Sequence, residues 1–194
     1  MNILRLNTSL GKCDIFWIVD YHKYHIHDQN GQKQKNPMVD EVSRHLMDLK
    51  STENKNFDIA VAKKSRLVLR ELDTVLEKNE KAILCLVPSS KANKYGPGLL
   101  RIAQFLQRKD SRIAAVTNLI QRKTSIVSLH SGGDRNISIH KGSLAIGEKI
   151  KQDRTYIILD DIATSGNSLA VCADMIEYQG ARRVIPLAIG KTYA

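Results

Sequence analysis

The segment 155–168 constrains the fold more than any other part of the chain, and it reads Thr-Tyr-Ile-Ile-Leu-Asp-Asp-Ile-Ala-Thr-Ser-Gly-Asn-Ser. Its residues 156–159 form a short, continuous apolar run, which is typical of a parallel strand buried on both faces. Two carboxylates, Asp160 and Asp161, end this run. Apolar residues at roughly helical spacing follow in 169–178. The segment therefore predicts a strand, an acidic pair, a loop of small residues and a helix.

The loop of this segment, residues 164–168, has the composition of a phosphate-binding loop. It offers backbone N–H groups, hydroxyl donors and the positive end of a helix dipole, and Gly166 allows the backbone to approach a ligand closely. Asp160 and Asp161 precede it at the carboxyl end of the strand, where open α/β sheets place their ligands. A carboxylate there would repel phosphate but would accept hydrogen bonds from sugar hydroxyls. These residues predict a ligand such as ribose 5-phosphate, with a phosphate at one end and a vicinal diol in the middle.

An ordinary strand-turn-helix is the alternative interpretation of the same segment. In that case Asp160 and Asp161 would be solvated turn residues, and Thr164 or Ser165 would cap the helix. The alternative explains the hydroxyl groups, but it gives no reason for two adjacent carboxylates at that distance before the helix.

Residues 160–168 closely resemble the motif with which type I phosphoribosyltransferases bind 5-phosphoribosyl 1-diphosphate (PRPP). The family pattern is an apolar strand, two acidic residues, two mostly apolar residues and then Thr-Thr/Ser-Gly-x-Thr/Ser. The resemblance implies that Asp160 and Asp161 are catalytic residues that hold the ribose hydroxyls. It also implies that the 5-phosphate binds to the residues that follow: Ala163, Thr164, Ser165, Gly166, Asn167 and Ser168.

The resemblance extends to the predicted strand 82–87 and the residues after it. In the family, the loop after the first core strand supplies backbone amides and a basic residue to the pyrophosphate, which implies that role for Ser89, Ser90 and Lys91. The run Val-Pro-Ser-Ser-Lys is also similar to the ComF-like, competence-associated branch of the family. That branch often begins with a cysteine zinc module, and this chain has no such module.

The polar, irregular segment 121–141 occupies the place of the family's mobile catalytic loop. Two arginines, Arg122 and Arg135, are the preferred catalytic candidates there, ahead of Lys123 and Lys141. A solvated loop with incidental charges is the alternative interpretation. The glutamine expected midway through a ComF-like loop has no clear counterpart, since its region reads Ser-Leu-His in 128–130.

The resemblance also implies a reaction. A nucleophile would displace pyrophosphate from C1 of PRPP through a transition state in which the ribose becomes oxocarbenium-like. Mg²⁺ carried by PRPP would neutralise the leaving group, and Lys91 with a loop arginine would take part of its growing charge. No separate metal site of the protein is expected.

The composition leaves two kinds of anionic partner open. The 194 residues carry a formal net charge of +10 with a pI near 9.6, which suits PRPP, a nucleotide or nucleic acid. The three cysteines predict buried free thiols in a reducing compartment, and no apolar stretch has membrane-spanning length. We therefore expect a cytoplasmic protein without a membrane partner, and the resemblance implies that it can form a homodimer.

Apolar strands alternate with helices along the chain, which predicts a doubly wound parallel α/β sheet. We expect a phosphoribosyltransferase-like core in 81–194 and a small N-terminal hood in 1–80. Within the hood, the polar stretch 20–27 predicts a half-exposed strand or hairpin edge, with a metal site at its histidines, His22, His25 and His27, as the alternative. The segment 28–37 predicts an exposed loop and 57–62 a short strand, while 113–120 predicts a further strand of the core.

Two functional hypotheses follow from these patterns. The first is a transferase that uses PRPP. The second is a protein of the same fold that senses PRPP or a nucleotide, or that works beside nucleic acid, without turnover. A P-loop nucleotide hydrolase is a poor interpretation, because no Gly-x-x-x-x-Gly-Lys-Ser/Thr occurs.

Overall fold

The computed structural model describes residues 1–8, 11–126 and 137–193. The strands in these ranges are β1 (Asn2–Thr8), β2 (Gly11–Tyr21), β3 (His25–His27), β4 (Lys33–Lys35), β5 (Ala82–Leu86), β6 (Ile113–Thr117), β7 (Ile120–Arg122), β8 (Leu144–Ile146), β9 (Thr155–Ala163) and β10 (Arg183–Thr192). The helices are α1 (Glu41–Asp48), α2 (Phe57–Val75), α3 (Pro97–Lys109), α4 (Ile137–Ser143) and α5 (Asn167–Tyr178). None of these helices combines the length and the apolar character needed to cross a lipid bilayer.

A 6-stranded sheet organises the molecule, with the strand order β1-β2-β10-β9-β5-β6. β1 is antiparallel to β2, and every other neighbouring pair in this sheet is parallel. The predicted α/β fold with a central parallel sheet is therefore confirmed. Two small antiparallel ribbons, β3-β4 and β7-β8, lie outside the central sheet.

Helices cover both faces of the sheet, and each face has its own apolar core. One core joins the sheet to α1, α2 and α3, and it contains Ile157 and Leu159 of β9. The other joins it to α5, and it contains Tyr156 and Ile158. All four side chains are at most 2% exposed. Because successive strand residues point to opposite faces, β9 is packed on both sides, as its continuous apolar run predicts.

The first two strands, β1 and β2, belong to the same sheet as the predicted core. β2 pairs in parallel with β10, and Leu187 lies opposite Phe16. Helix α2 packs against α3, so the first 80 residues contribute to both the sheet and one helical layer. The division into a hood and a core at residue 80 stays a prediction.

Three local predictions are wrong. Residues 57–62 form the first turns of α2 rather than a strand, because Phe57, Ala60 and Val61 continue the helical spacing of the buried residues after them. The segment 28–37 is not all loop, since β4 pairs with β3 in the hairpin expected at 20–27. The strand predicted for 113–120 stops at Thr117, and Ile120 instead begins β7.

We predict that Gly98→Ala destabilises the fold. An added Cβ would lie 2.6 Å from Leu49 Cβ and 2.7 Å from Leu49 O, so α1 and α3 would have to separate. We expect the free energy of unfolding to fall by about 1–3 kcal/mol, which is the usual scale of overpacking. Urea denaturation measures the change.

The matched control for this prediction is Gly142→Ala, in α4. Nothing lies within 4 Å of a Cβ added there, so the change should be neutral or slightly stabilising. Equal unfolding free energies for the two variants would contradict the close approach of α1 and α3.

Candidate functional site

The acidic pair lies inside β9, at the point where one of its two neighbouring strands ends. β9 pairs with β5 only as far as Leu159, whereas its pairing with β10 continues to Ala163. The prediction that the carboxylates end the strand is therefore corrected: Asp160 and Asp161 are strand residues whose β5 side is open. This places them at the carboxyl edge of the parallel sheet, where α/β proteins form ligand sites.

Each carboxylate is held by the next backbone N–H along the strand. Asp161 N donates to Asp160 Oδ1 at 2.9 Å, and Ile162 N donates to Asp161 Oδ1 at 2.7 Å. Burial raises the pKa of Asp160, and the neighbouring charge of Asp161 raises it further. Asp160 therefore keeps its proton to higher pH than an exposed aspartic acid does.

Lys50 is a site residue that the sequence analysis missed. Its ammonium group forms an ion pair with Asp161 Oδ2. Burial lowers the pKa of Lys50, but the charge of Asp161, its hydrogen bond to Lys50 and the nearby Asp160 together raise the pKa above its usual value. The two residues are 111 positions apart in sequence, and no local pattern connects them. Only the packing of α1 against the sheet brings this lysine to the carboxyl edge.

The loop 164–168 lies directly at the N-terminus of α5, next to the acidic pair. Gly166 is the N-cap residue, with a φ of 84° that strongly favours glycine. A Cβ at this position would lie 2.7 Å from Ile15 Cδ1 and 3.0 Å from Leu6 Cδ1. The glycine is therefore required both by the left-handed backbone and by the packing of the loop on β1 and β2.

The hydroxyl groups of this loop are half-buried and have protein partners. Thr192 Oγ1 donates to Thr164 Oγ1 at 3.3 Å, which joins the loop to the end of β10. Asn167 N donates to Ser165 Oγ at 3.4 Å within the loop. Ser168 Oγ lies 3.3 Å from His140 Nδ1 of α4. The loop is thus fixed at both of its ends as well as at its glycine.

The second predicted anion loop, Ser89–Lys91, follows β5, the strand beside the acidic pair. Lys91 N donates to Ser89 Oγ at 3.2 Å, which closes a tight turn. Ser89 N donates to Lys94 O at 2.8 Å and Ile126 N donates to Ser90 O at 2.9 Å. Lys91 itself is exposed. The turn therefore presents a lysine to solvent near the edge where Asp160 and Asp161 lie.

The sequence analysis placed Arg122 in an irregular catalytic loop. In the structure it lies in β7, where it is 2% exposed. Its Nε donates to Ser89 O at 2.6 Å, and its Nη1 donates to Ser143 Oγ. Burial lowers its pKa. The guanidinium group therefore braces the loop after β5 from beneath.

The other loop candidates have different placements. Lys123 is exposed and donates to Gln121 Oε1 at 2.6 Å. Lys141 forms an ion pair of 3.3 Å with Asp174, between α4 and α5. Arg135 and the segment 128–130 lie outside the described residues. Neither described lysine is shown next to the acidic pair.

A chain of polar contacts connects the two anion loops beneath the surface. Ser168 contacts the ring of His140, and the carbonyl of His140 accepts a 3.1 Å hydrogen bond from Ser143 Oγ. Arg122 then donates both to Ser143 Oγ and to the carbonyl of Ser89. Burial lowers the pKa of His140, and the charge of Arg122 lowers it further. A neutral histidine and a charged arginine thus hold the loops in a common frame.

The opposite edge of the sheet carries a second group of polar side chains. A cavity of about 290 Å³ lies at the amino ends of β5 and β9, at the opposite edge of the sheet. Glu80 beside it accepts hydrogen bonds from Thr155 Oγ1 at 2.5 Å and Arg183 Nη1 at 2.9 Å.

The predicted free cysteines are confirmed: Cys13, Cys85 and Cys172 are all buried and unpaired. Within the described ranges, no group of three His, Cys, Asp or Glu side chains is placed to hold a metal ion.

Comparison with known proteins gives structural similarity without a sequence relative. No family model matches the chain, and no curated protein matches it. A purine phosphoribosyltransferase from Pyrococcus horikoshii Ot3 has 13% identity and a TM-score of 0.39, with 68% of this chain and 82% of that chain covered. A hypoxanthine-guanine phosphoribosyltransferase from Bacillus anthracis has 18% identity and a TM-score of 0.37, with 64% of each chain covered. At such TM-scores the functional proposal has to rest on the residues of the site.

We predict that Asp160→Asn stabilises the protein increasingly as the pH rises. A raised folded-state pKa means that the native protein keeps a proton that the unfolded chain has lost, so the contribution of Asp160 to stability falls between about pH 4 and its raised pKa of about 8. Asparagine removes this loss. We expect the variant to be more stable by roughly 1–3 kcal/mol at pH 9, with little difference near pH 4.

Chemical denaturation at several pH values checks this expectation. Asp58→Asn is the control, because the Asp58 side chain is 84% exposed and its removal should leave the pH dependence unchanged. Parallel stability curves for wild type and Asp160→Asn would contradict the burial of this carboxyl group.

Proposed function

We propose that this protein binds PRPP and transfers its phosphoribosyl group to a nucleophile, with release of pyrophosphate. One observation carries the proposal: a partly buried acidic pair and a glycine-capped helix N-terminus are adjacent at the carboxyl edge of a parallel sheet. This combination provides acceptors for a diol and donors for a phosphate monoester at neighbouring positions.

The loop 164–168 would hold the 5-phosphate. The first turn of α5 has backbone N–H groups that no residue of the helix itself can satisfy, and the helix dipole favours an anion there. Ser165 and Ser168 add hydroxyl donors, and Thr164 is tied to the end of β10. The tight packing of Gly166 keeps this loop in one shape before the ligand arrives, which reduces the entropy lost on binding.

The acidic pair would hold the ribose. Asp161, which pairs with Lys50 in the ligand-free protein, would accept a hydrogen bond from one hydroxyl, and Asp160 would bond to the neighbouring hydroxyl. Positive charge develops on the ribose ring as the bond from C1 to the diphosphate breaks. A carboxylate fixed nearby in a partly dehydrated position stabilises that charge more than it stabilises the neutral ground state.

Ser89, Ser90 and Lys91 would bind the diphosphate from the neighbouring strand. Arg122 acts as a positioning residue in this proposal, because it holds the carbonyl of Ser89 from beneath the loop. Arg135 remains a candidate for direct contact with the leaving group.

The carboxylate oxygen atoms of the site fit Mg²⁺ that arrives already bound to PRPP. Asp160 and Asp161 provide hard oxygen atoms, but Asp161 is already bound by an ammonium group, so most of the metal ligands would come from PRPP. Bound Mg²⁺ supplies charge neutralisation at the leaving diphosphate.

The proposal also includes a branch of the family, a cellular location and an oligomeric state. The run 87–91 supports a place near the ComF-like branch, and the buried free thiols support a cytoplasmic location. A homodimer is part of the proposal through the family resemblance alone.

We predict that wild-type protein binds Mg²⁺-PRPP and that Asp160→Asn/Asp161→Asn abolishes measurable binding. A charge-assisted hydrogen bond to Asp161 at about 1.5–3 kcal/mol and a neutral one to Asp160 at about 0.5–1.5 kcal/mol correspond to a loss of roughly 30-fold or more. Isothermal titration calorimetry gives the affinities, and pyrophosphate release in the presence of candidate nucleophiles then tests turnover.

The control for this experiment removes two carboxylates of equal charge from the surface. Asp58→Asn/Asp153→Asn changes side chains that are 84% and 74% exposed, and it should leave binding intact. A folded wild type that does not bind PRPP would refute the proposal.

A second candidate function is association with nucleic acid, and the β3-β4 hairpin favours it. Its register pairs His25 with Lys35 and His27 with Lys33, so four basic side chains project from one face of the ribbon. All four are exposed. Lys35 Nζ also lies 5.7 Å from the centroid of the Tyr24 ring, which combines a cation with an aromatic surface. A ribbon of this kind suits the phosphate backbone of DNA or RNA.

We predict that Lys33→Glu/Lys35→Glu weakens binding to labelled duplex DNA and single-stranded RNA about tenfold and flattens its salt dependence. Fluorescence anisotropy at several salt concentrations measures both effects. The control, Lys149→Glu/Lys151→Glu, reverses two exposed charges in the loop before β9. Equal weakening in both variants would mean that net charge, rather than the hairpin, determines binding.

A further inference from the structure

The packing of two helices places Lys50 beside the acidic pair. Lys50 follows the C-cap residue of α1, Leu49, whose carbonyl accepts a 3.1 Å hydrogen bond from Gly98 N at the start of α3. There is no space for a side chain at Gly98, so the backbones of the two elements meet directly. Leu49 and the buried residues of α3 belong to the same apolar core, so Lys50 enters the site from the face of the sheet on which α3 packs. Along the chain, α3 follows the loop that contains Ser89–Lys91.

The 5-phosphate loop enters the site from the opposite face. Gly166 packs against Ile15, which belongs to the core beneath α5, whereas Leu49 belongs to the core beneath α1, α2 and α3. The alternation of side chains along β9 sends Asp160 towards the α5 face and Asp161 towards the α1 face. Lys50 and the 5-phosphate loop thus flank the acidic pair from the two sides of the sheet.

The contact between Lys50 and Asp161 occupies the carboxylate before any ligand arrives. Lys50 Nζ donates to Oδ2, and Ile162 N donates to Oδ1 at 2.7 Å. The side chain of Asp161 is 13% exposed, while that of Lys50 is 40% exposed. The lysine can therefore exchange its partner without unfolding α1, whereas the carboxylate is fixed.

We propose that Lys50 determines ligand specificity, by selecting ribose 5-phosphate that carries a diphosphate at C1 over ribose 5-phosphate that carries a hydroxyl group there. This inference rests on the proposed function. A ribose hydroxyl that donates to Asp161 Oδ2 displaces the ammonium group from its partner. The loop Ser89–Lys91, which would hold the diphosphate, leads into α3 on the α1 face of the sheet. A diphosphate held there would give the ammonium group a new anionic partner, and a C1 hydroxyl would not. The Lys50 ammonium group therefore competes with ribose 5-phosphate for Asp161. When PRPP binds, the ammonium group instead pairs with the diphosphate and contributes to binding.

The ratio of two affinities tests this role. Calorimetry with Mg²⁺-PRPP and with ribose 5-phosphate on wild type, Lys50→Met, Lys50→Gln and Lys50→Arg gives that ratio for each protein. In the two neutral variants we expect the preference for PRPP to fall about tenfold or more, the size of one charge-assisted hydrogen bond. PRPP should bind more weakly, while ribose 5-phosphate should bind as well as before or better. Lys50→Arg should keep most of the preference, since it keeps the charge.

The matched control is Lys63→Met, which removes another half-exposed lysine of the same helical layer, one that pairs with Glu41 at 2.5 Å. Its affinity ratio should equal that of wild type. An unchanged ratio in both neutral Lys50 variants, with a wild type that binds PRPP, would overturn the role of Lys50 and leave the proposed function standing. A wild type that binds neither ligand would overturn the proposed function itself.

Discussion

The site depends on the partial dehydration of two adjacent carboxylates in a strand that is packed on both faces. β9 supplies a rigid support, because its apolar residues are locked between α5 on one side and the layer of α1, α2 and α3 on the other. Loss of pairing with β5 after Leu159 then opens one side of the strand at Asp160. Two negative charges in such a position repel each other, which raises the pKa of Asp160, and Lys50 offsets the charge of Asp161.

Every other feature of the site is arranged around this pair. The loop after β9 brings helix N–H groups close, and it can do so only because Gly166 leaves room for Ile15. The loop after β5 presents a lysine from the neighbouring strand, and Arg122 supports its backbone from below. Donors for anions therefore lie on both sides of acceptors for hydroxyls. The proposed PRPP site requires this order of groups, and in that proposal the two partly buried acids of a basic chain have a ligand to bind.

The segment 155–168 could be interpreted from sequence because its strand, loop and helix are all determined locally, by an apolar run, a glycine and helical spacing. The short window at 57–62 misled for the opposite reason: its few apolar residues fit a strand until the next three turns of α2 are included. The place of β2 beside β10 depends on pairing between distant segments, which no local pattern carries. Lys50 and the buried position of Arg122 were out of reach for the same reason, since tertiary packing alone brings them to the site.

Amide chemical-shift mapping by NMR tests the central claim most directly, because it locates each part of a ligand on the protein. The separate ligands are ribose 5-phosphate and pyrophosphate, added to uniformly ¹⁵N-labelled wild-type protein. Ribose 5-phosphate should shift the amides of 164–168 and of the acidic pair, whereas pyrophosphate should shift those of Ser89–Lys91. Shifts confined to the β3-β4 hairpin, or no shifts with either ligand, would contradict a sugar-phosphate site at the carboxyl edge of the sheet.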